Sequence, residues 1–327
     1  MKEGAKLNIL ETKEFKLSYI RKVGEFQNNK TENELVFFLP IGCFWARTLD
    51  GCYHCGNQEI IDDINKRYYY NLIEVVKNEY RKYLNIDIKR VFFYVGGSFF
   101  EIKDCLQNEI LGFISEQEKI RDIYIESRPE FITKDNIKRL KSILQDKNLI
   151  VAIGLESHSE KIRNKILNKG ISNDSFEFAM EVLQKENIKS LVYILVKPPI
   201  KNISDKMAYE EAMKSINFAI EKGAKYVELK CGCVIPNTKT HELYKKGLYV
   251  PLNLWTVNKL LVDSSRKYKD TPIRLAYLDD FFVSINIPKG CILCNDFLKE
   301  KLQLYRENMN WKLLTEYTMC CCAKVKK

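Results

Sequence analysis

Short runs of β-branched and aromatic residues alternate with longer segments whose apolar residues recur every three or four positions. The short runs are typical of strands in a parallel sheet, and the longer segments are typical of helices that cover it. The pattern predicts an α/β fold, a partial (β/α)6 barrel with parallel strands. The predicted strands are ELVFFLP (34–40), RVFFYVG (90–96), RDIYIES (121–127), LIVAIGLE (149–156), LVYILVK (191–197) and YVELKC (226–231).

The same pattern divides the chain into three parts. Residues 1–30 form a short polar lead-in, 31–240 carry the β-α units, and 241–327 form a small cysteine-containing C-terminal module. In this module a helix is predicted around LWTVNKLLVDSSRKY, and IRLAYLDD (273–280) is a candidate strand. No linker of low complexity separates the parts, so we expect them to pack as one body.

Unusual residues follow the predicted strands, at the edge where ligands bind in parallel sheets. The first strand ends at GCFWARTLDGCYHCG, the second at GGSFFE, the third at ESRPE, the fourth at GLESHSE and the fifth at the two prolines of VKPPI. Unrelated loops would not be expected to carry glycines, carboxylates and arginine so consistently at one end of the sheet. We therefore predict an active site at this edge.

The loop after the first strand contains Cys43, Cys52 and Cys55, with eight and then two intervening residues. Three thiolates are one ligand short of a closed tetrahedral site. An iron–sulfur cubane held by three cysteines would leave one iron open. The alternative is a zinc knuckle at Cys52 and Cys55, completed by His54 or by a distant cysteine.

Composition narrows the function classes. The chain has 327 residues, eleven cysteines and a formal net charge of +10. Its apolar runs are too short to span a bilayer and its N-terminus lacks the apolar region of a secretory signal, so we expect a cytoplasmic protein without membrane contact. Cysteines in that setting favour metal or redox chemistry, and with it oxygen sensitivity, over disulfides. The positive charge suits a polyanionic partner, but it also fits a solvated basic surface.

With these motifs, the chain resembles radical S-adenosylmethionine (SAM) enzymes. In that superfamily three cysteines hold a [4Fe–4S] cluster, and the fourth iron binds the methionine part of SAM. The resemblance implies a cluster at Cys43, Cys52 and Cys55. It also implies SAM as a cofactor and its reductive cleavage to a 5′-deoxyadenosyl radical.

The resemblance implies further SAM-binding residues in the next two loops. Gly96, Gly97 and Ser98 would let backbone carbonyls approach the amino group, although a simple tight turn would also explain them. Glu126 and Arg128 would supply a carboxylate for the amine and a guanidinium for the carboxylate. A structural ion pair at the strand end is the alternative for these two.

The fourth loop would bind the rest of the cofactor. Glu156 and Ser157 stand where the superfamily commonly binds the ribose hydroxyls. Arg163, in the segment that follows, is a second candidate for the methionine carboxylate, and a solvated helix face is its alternative.

A narrower resemblance is to the radical enzyme of archaeosine synthesis, the RaSEA family. It is carried by LPIGCFWARTLDGCYHCG, VGGSFFE, IESRPEFIT, VAIGLESHSEKIRNKILNKGIS and LVKPPI, and it runs from about residue 36 to the C-terminus. It implies a lyase-type reaction on tRNA, in which a carbon–nitrogen bond of a lysine-modified 7-deazaguanine is cleaved to give archaeosine. The implied partners are tRNA, a lysine-transferring archaeosine synthase and an external electron donor.

The C-terminal cysteines resemble a feature of the same family. Cys291, Cys294, Cys320 and Cys322 would form a closed four-thiolate site for structural zinc or an auxiliary iron–sulfur cluster. The alternative is that the terminal cysteines carry no ligand. Cys105, in a helical segment, is expected in the core.

Two other functions remain open at this point. One is a radical SAM enzyme that acts on a peptide, a nucleoside or another small molecule. The other is a zinc-binding nucleic-acid adaptor, which would hold zinc at the first three cysteines and would not cleave SAM.

Overall fold

Eight strands form one continuous sheet in the computed structural model, which describes residues 16–26, 30–67, 71–279, 284–314, 320 and 322. The first two strands are antiparallel, and each later strand is parallel to its predecessor in chain order. This arrangement confirms the predicted α/β fold. The strands are β1 (Ser18–Glu25), β2 (Lys30–Phe38), β3 (Ile88–Tyr94), β4 (Asp122–Ser127), β5 (Asn148–Glu156), β6 (Lys189–Val196), β7 (Tyr226–Cys231) and β8 (Ile273–Leu275).

The six predicted strands correspond to β2 to β7, and the candidate strand after residue 272 corresponds to β8. The sequence pattern missed β1, which lies in the segment interpreted as a polar lead-in. Arg21 on β1 is buried and bonds to the carboxylate of Glu34 on β2. A charged residue at a buried position breaks the apolar pattern by which the other strands were recognised.

Helices connect the parallel strands and cover the sheet. Those from α5 to α9 begin at a serine, threonine or asparagine whose side chain accepts a hydrogen bond from the first turn. No helix in the described part of the chain is long and apolar enough to cross a bilayer. The helices are α1 (Phe44–Thr48), α2 (Asn57–Arg67), α3 (Leu72–Arg81), α4 (Asp104–Ser115), α5 (Lys134–Leu144), α6 (Asn173–Lys185), α7 (Asp205–Glu221), α8 (Lys239–Lys245), α9 (Leu254–Lys267) and α10 (Asn295–Asn308).

The two faces of the sheet are buried in different ways, because successive residues of a strand face opposite sides. Leu35 and Phe37 on β2 belong to the main apolar core beneath the helices. Val36 between them belongs to a second cluster on the inner face, together with Phe92 and Tyr124. The rings of Phe92 and Tyr124 stack with centroids 5.3 Å apart. The inner face is therefore partly filled by aromatic side chains.

Two arginines and two glutamates are also buried on the inner face: Arg21, Glu34, Glu228 and Arg274. One oxygen of Glu34 pairs with Arg21 on β1, and the other lies 3.7 Å from Nη2 of Arg274 on β8. Because β2 and β8 are far apart in the strand order, this contact requires the sheet to curl into a half-barrel. Burial opposes ionisation of Glu34, but the attraction of these two arginines and of Arg90 outweighs it and lowers the pKa of the carboxyl group.

Helix α10 lies at the open side of the half-barrel, against β1, β2 and β8. The hydroxyl of Thr31 donates to the carbonyl of Glu307 at 2.9 Å, and Arg306 donates to the carbonyl of Leu275 at 3.2 Å. A Cβ atom on Gly24 of β1 would lie only 2.6 Å from the helix backbone. The C-terminal helix therefore packs closely against both edges of the sheet.

Replacing Glu34 by glutamine would leave buried Arg21 without its paired carboxylate, whereas Arg274 would keep Glu228 at 3.4 Å. We expect the free energy of unfolding to fall by about 3–5 kcal/mol in urea denaturation. Glu181→Gln is the matched control, because its pair with Lys185 is exposed and should contribute little. Similar effects of the two changes would contradict the proposed role of Glu34.

The effect of Glu34→Gln should also depend on pH. A carboxyl group with a lowered folded-state pKa stabilises the fold above its unfolded pKa of about 4.3, and this stabilisation is lost as pH falls through the folded-state value. The difference in unfolding free energy between the wild type and the variant should therefore shrink at acidic pH.

Candidate active site at the carboxyl ends of the strands

The cysteine loop, residues 42–56, runs from the end of β2 to the start of α2. The N–H of Cys43 donates to Oε1 of Gln58 at 2.7 Å, and the N–H of Cys55 donates to the carbonyl of Cys52 at 3.0 Å. Although Cys55 is open to solvent on one side, burial on its other side raises the pKa of its thiol, and Cys52 and Cys43 raise it further. The three thiols thus lie close enough to influence one another's pKa, and a bound metal centre would stabilise their ionised forms.

The glycine-rich loop after β3 packs directly on the cysteine loop. A Cβ atom on Gly97 would lie 2.3 Å from the carbonyl oxygen of Gly42 and 2.8 Å from Cα of Cys43. Gly96 has a φ of +74°, which side chains other than hydrogen rarely permit. Ser98 is fully buried, and its hydroxyl accepts a hydrogen bond from the N–H of Arg128 at 2.9 Å. The segment 96–98, predicted as a tight turn, therefore also contacts the cysteine loop and the loop that carries Arg128.

Glu101 connects the same two loops and was not predicted as a site residue. One carboxylate oxygen accepts hydrogen bonds from the N–H of Phe44 and from Arg47, and the other accepts from the N–H of Ser98 at 2.7 Å. Ser98 and Glu101 form a capping box. The spacing of serine and glutamate three residues apart is the sequence signal that could have identified this contact.

Arg128 lies at the same edge, above the first helix of the cysteine loop. Its guanidinium carbon is 4.6 Å from the ring centroid of Trp45, and its Nε bonds to Glu130. The predicted strand-end ion pair thus involves Glu130, whereas Glu126 lies elsewhere on the inner face. Nη2 of Arg128 is buried and has no hydrogen-bond partner among the described residues. A buried donor without a partner is costly, and a ligand carboxylate would satisfy it.

Glu156 ends β5 in a left-handed conformation, with φ of +67°. Its Oε1 atom lies 2.9 Å from Nζ of Lys169, and both side chains are largely buried. Burial opposes ionisation of Glu156, but the charge of Lys169 outweighs it and lowers the pKa of the carboxyl group. Glu156 is therefore an anionic acceptor at the site, as its predicted ribose-binding role requires.

Lys169 was not predicted as a site residue, and its position depends on the cysteine loop. Nε1 of Trp45 donates to the carbonyl of Asn168 at 2.6 Å, and the amide of Asn168 donates to the carbonyl of Gly51 at 2.8 Å. A Cβ atom on Gly170 would lie 2.0 Å from the ring of Trp45. These contacts hold Lys169 near Cys52, where its positive charge lowers the pKa of a thiol that burial raises.

Ser157 and Arg163 make their hydrogen bonds within the chain. The hydroxyl of Ser157 donates to Glu211 at 2.6 Å, and it also accepts a backbone N–H. Arg163 lies on the π-helical segment Lys161–Ile166, is fully buried, and donates to Ile171, Ser157 and Asn173. Between the two arginines predicted to bind the methionine carboxylate, the geometry favours Arg128.

Three residues of the inner face lie just inside the carboxyl ends. The hydroxyl of Tyr193 donates to Oε1 of Glu126 at 3.1 Å, and Nζ of Lys230 lies 4.2 Å from the ring centroid of Tyr193. Burial raises the pKa of Glu126 to about 7, against the effect of Lys230. Tyr193 and Lys230 alternate with apolar residues inside strands, and the sequence analysis assigned them no role.

The structure brings the four C-terminal cysteines together. The four sulfur atoms lie within 4.8 Å of one another, and four of the six separations are 3.1 Å to 3.7 Å. A tetrahedral zinc site with Zn–S bonds of about 2.3 Å has sulfur–sulfur edges of about 3.8 Å. The geometry therefore fits a closed four-thiolate metal site at Cys291, Cys294, Cys320 and Cys322.

The sequence analysis placed Cys105 in the core and gave His54 as a ligand in the alternative zinc site. Cys105 is exposed on α4, so the prediction that it lies in the core was wrong: it occupies the outer side of an amphipathic helix. His54 lies within the cysteine loop, and burial lowers the pKa of its imidazole to about 4. It is therefore neutral at physiological pH.

Residues 42–226 match the model of the Radical SAM superfamily, and the matched region begins one residue before Cys43. The chain belongs to this superfamily. The match covers the cysteine loop, the four following strand ends and the start of β7. It thus includes the three thiols and all eight predicted SAM-binding residues.

Two proteins of similar sequence share one name. The chain is 26% identical to "Archaeosine synthase subunit beta" of Methanosarcina acetivorans over 86% of its own length and 80% of that protein. It is 28% identical to the protein of the same name from Thermococcus kodakarensis, over 75% of this chain and 76% of that protein. These relatives confirm the resemblance to the archaeosine-synthesis family.

Two solved structures share the fold. Elp3 from Methanocaldococcus infernus superimposes with a TM-score of 0.52 at 16% identity, over 71% of this chain and 58% of that protein. SuiB from Streptococcus suis gives a TM-score of 0.52 at 14% identity, over 85% of this chain and 52% of that protein. The chain thus spans little more than half of either protein, and the likeness concerns the fold.

Gly97→Ala should disturb the cysteine loop, because the added methyl group would overlap the backbone at Gly42 and Cys43. We expect the variant to incorporate much less iron and sulfide on anaerobic reconstitution, measured by iron analysis and absorption near 400 nm. Gly112→Ala on α4 is the control, since nothing lies within 4 Å of its added Cβ atom. Full cluster content in Gly97→Ala would show that this contact does not position the cysteines.

Proposed function

We propose that this radical SAM enzyme cleaves a carbon–nitrogen bond in a lysine-modified 7-deazaguanine of tRNA and thereby forms archaeosine. The observation that carries the chemistry is the convergence of Cys43, Cys52 and Cys55 with Arg128 and Glu156 at one edge of the sheet. The substrate is supported by similarity, over most of the chain, to proteins named archaeosine synthase subunit beta.

The residues at this edge fit a [4Fe–4S] cluster and SAM. Gly97 leaves no room for a side chain between its loop and Cys43, so backbone groups border the cysteine loop. The buried Nη2 atom of Arg128 has no partner among the described residues, and a carboxylate would complete its hydrogen bonding. Glu156 is anionic and suited to accept hydroxyl groups. These donors and acceptors match the carboxylate, amine and ribose of SAM.

When bound, the cluster and SAM supply an electron and a 5′-deoxyadenosyl radical. The chain's own residues then have three tasks. Cys43, Cys52 and Cys55 bind the cluster, the backbone of residues 96–98 with Arg128 orients the methionine part, and Glu156 orients the ribose. The buried rings of Phe92 and Tyr124 on the inner face would keep water from one side of the reacting groups.

In the reaction we propose, the radical that bound SAM would supply would take a hydrogen atom from the lysine part of the substrate. The bond between the lysine carbon and its nitrogen would then break and leave a carbon–carbon double bond in the lysine part. The nitrogen would gain one electron from the external donor and one proton, and would remain on the 7-deazaguanine as the formamidine of archaeosine. The enzyme must therefore bring the lysine part, rather than the base itself, next to the adenosyl group. Residues inside the half-barrel must therefore recognise the lysine part of the substrate.

The C-terminal cysteines hold zinc in this proposal. Four thiolates at tetrahedral spacing leave no open coordination position, which is typical of a structural site. The site joins the start of α10 to Cys320 and Cys322, and the carbonyl of Cys322 accepts a hydrogen bond from Asn253 at the start of α9. Zinc would thus fix the end of the chain against two helices.

The partners in this proposal are tRNA, a lysine-transferring archaeosine synthase and an external electron donor. The net charge of +10 favours association with RNA through release of counterions. The name of the two archaeal relatives, a subunit beta, supports action together with another subunit.

Anaerobic incubation with SAM, dithionite and lysine-modified tRNA should yield 5′-deoxyadenosine and archaeosine, both measured by mass spectrometry. Cys52→Ala should abolish both products because it removes a cluster ligand, whereas Cys105→Ala, at an exposed cysteine, should retain them. Production of 5′-deoxyadenosine by Cys52→Ala would refute the cluster assignment. Wild-type cleavage of SAM without archaeosine would refute the substrate.

Purified protein should contain about one zinc ion per chain, measured by mass spectrometry of the metal. Cys294→Ser should lose this zinc and unfold at a lower temperature, because Cys294 is buried at the start of α10. Cys105→Ser should change neither quantity. Iron in place of zinc, retained when the first three cysteines are replaced, would instead identify an auxiliary cluster.

A further inference from the structure

The inner face of the half-barrel is accessible near the carboxyl ends of the strands and closed further inside. Tyr94, Glu126 and Lys230 are half-buried. Phe92 and Tyr124, two residues earlier on β3 and β4, are only 0% and 2% exposed. The accessible part therefore forms a cup, and its floor is made of stacked aromatic rings.

Glu126, Tyr193 and Lys230 line this cup, and we call them the inner charged group. They stand on three different strands, β4, β6 and β7. Tyr193 donates its hydroxyl to Glu126 at 3.1 Å, and the ammonium of Lys230 lies 4.2 Å from the ring centroid of Tyr193 and 5.7 Å from that of Tyr94. An acid, a cation and a neutral hydroxyl thus lie next to one another on the inner face.

We propose that the inner charged group binds the amino-acid part of the lysine that the substrate carries. This inference rests on the proposed function and adds how its substrate is recognised. Whichever nitrogen joins lysine to the base, the lysine part retains one carboxylate and one free amine. Lys230 matches the carboxylate, and Glu126 with Tyr193 matches the amine, while the aromatic floor suits the methylene chain.

The methionine part of SAM also carries an amine and a carboxylate, so SAM is the alternative ligand of the inner charged group. The methionine part has to lie against the cysteine loop, where Gly97 contacts Cys43 and Arg128 lies over Trp45. There the buried Nη2 atom of Arg128, which has no partner among the described residues, already offers the methionine carboxylate a donor. This favours the carboxylate of the substrate as the ligand of Lys230.

Lys230→Met tests this inference because it keeps the length of the side chain and removes its charge. We expect the KM for lysine-modified tRNA to rise about 10- to 100-fold, the range for loss of a charged hydrogen bond. Tyr193→Phe should raise it about 2- to 10-fold, since a neutral hydrogen bond is weaker. The affinity for SAM, measured by calorimetry, should change less than the KM for tRNA in both variants.

Lys225→Met is the matched control, because Lys225 is exposed just before the other end of β7. Melting temperature and iron content would verify that each variant folds and holds its cluster. The inference is overturned if Lys230→Met raises the KM no more than Lys225→Met does. It is also overturned if the affinity for SAM falls as much as the KM rises, since Lys230 would then serve the cofactor.

A second measurement separates this inference from the proposed function. If wild-type enzyme does not convert lysine-modified tRNA, the proposed function fails, and the inner charged group is judged by direct binding of L-lysine in calorimetry. Cadaverine lacks the carboxylate, and 6-aminohexanoate lacks the α-amine. A preference for L-lysine over both, lost in Lys230→Met, would support an amino-acid site, and equal or absent binding would overturn it.

Discussion

Glu34 carries a negative charge inside the half-barrel, and the curvature of the sheet depends on how that charge is neutralised. Arg21 approaches it from β1 and Arg274 from β8, so residues near both edges of the sheet meet on the inner face. This curvature brings the loop after β7 against the cysteine loop. The N–H of Lys239 donates to the carbonyl of Tyr53 at 2.8 Å. The same ion-pair group thus supports the fold and closes the site.

The site consists of loops that support one another through backbone contacts. Gly97 lies against Cys43, Glu101 joins the same two loops, and the segment carrying Lys169 is fixed by Trp45. Such contacts permit little adjustment of individual loops, because glycine positions and buried hydrogen bonds fix their separation. The position of a cluster bound at the three cysteines is therefore tied to that of Arg128 and Glu156, which is the preorganisation that radical chemistry on a bound cofactor requires.

The sequence predicted most of the fold because β2 to β7 are continuous apolar runs, as expected for strands buried on both faces. It failed at β1, where the buried Arg21 pairs with a charged residue that comes near it only when the hairpin of β1 and β2 forms. It identified the cysteine triad and the strand-end loops from their spacing. It could not distinguish Arg128 from Arg163, since only the fold shows that Arg163 is fully bonded within the chain. Lys169 and Lys230 were missed because their roles depend on contacts between separate elements.

In the proposed reaction the adenosyl radical would take hydrogen from the lysine part of a modified tRNA. The most direct test uses tRNA carrying fully deuterated lysine on its 7-deazaguanine, incubated with enzyme, SAM and reductant. If the lysine part is the hydrogen donor, 5′-deoxyadenosine will gain deuterium and archaeosine will form in proportion. Archaeosine formed together with 5′-deoxyadenosine that contains no deuterium would contradict it.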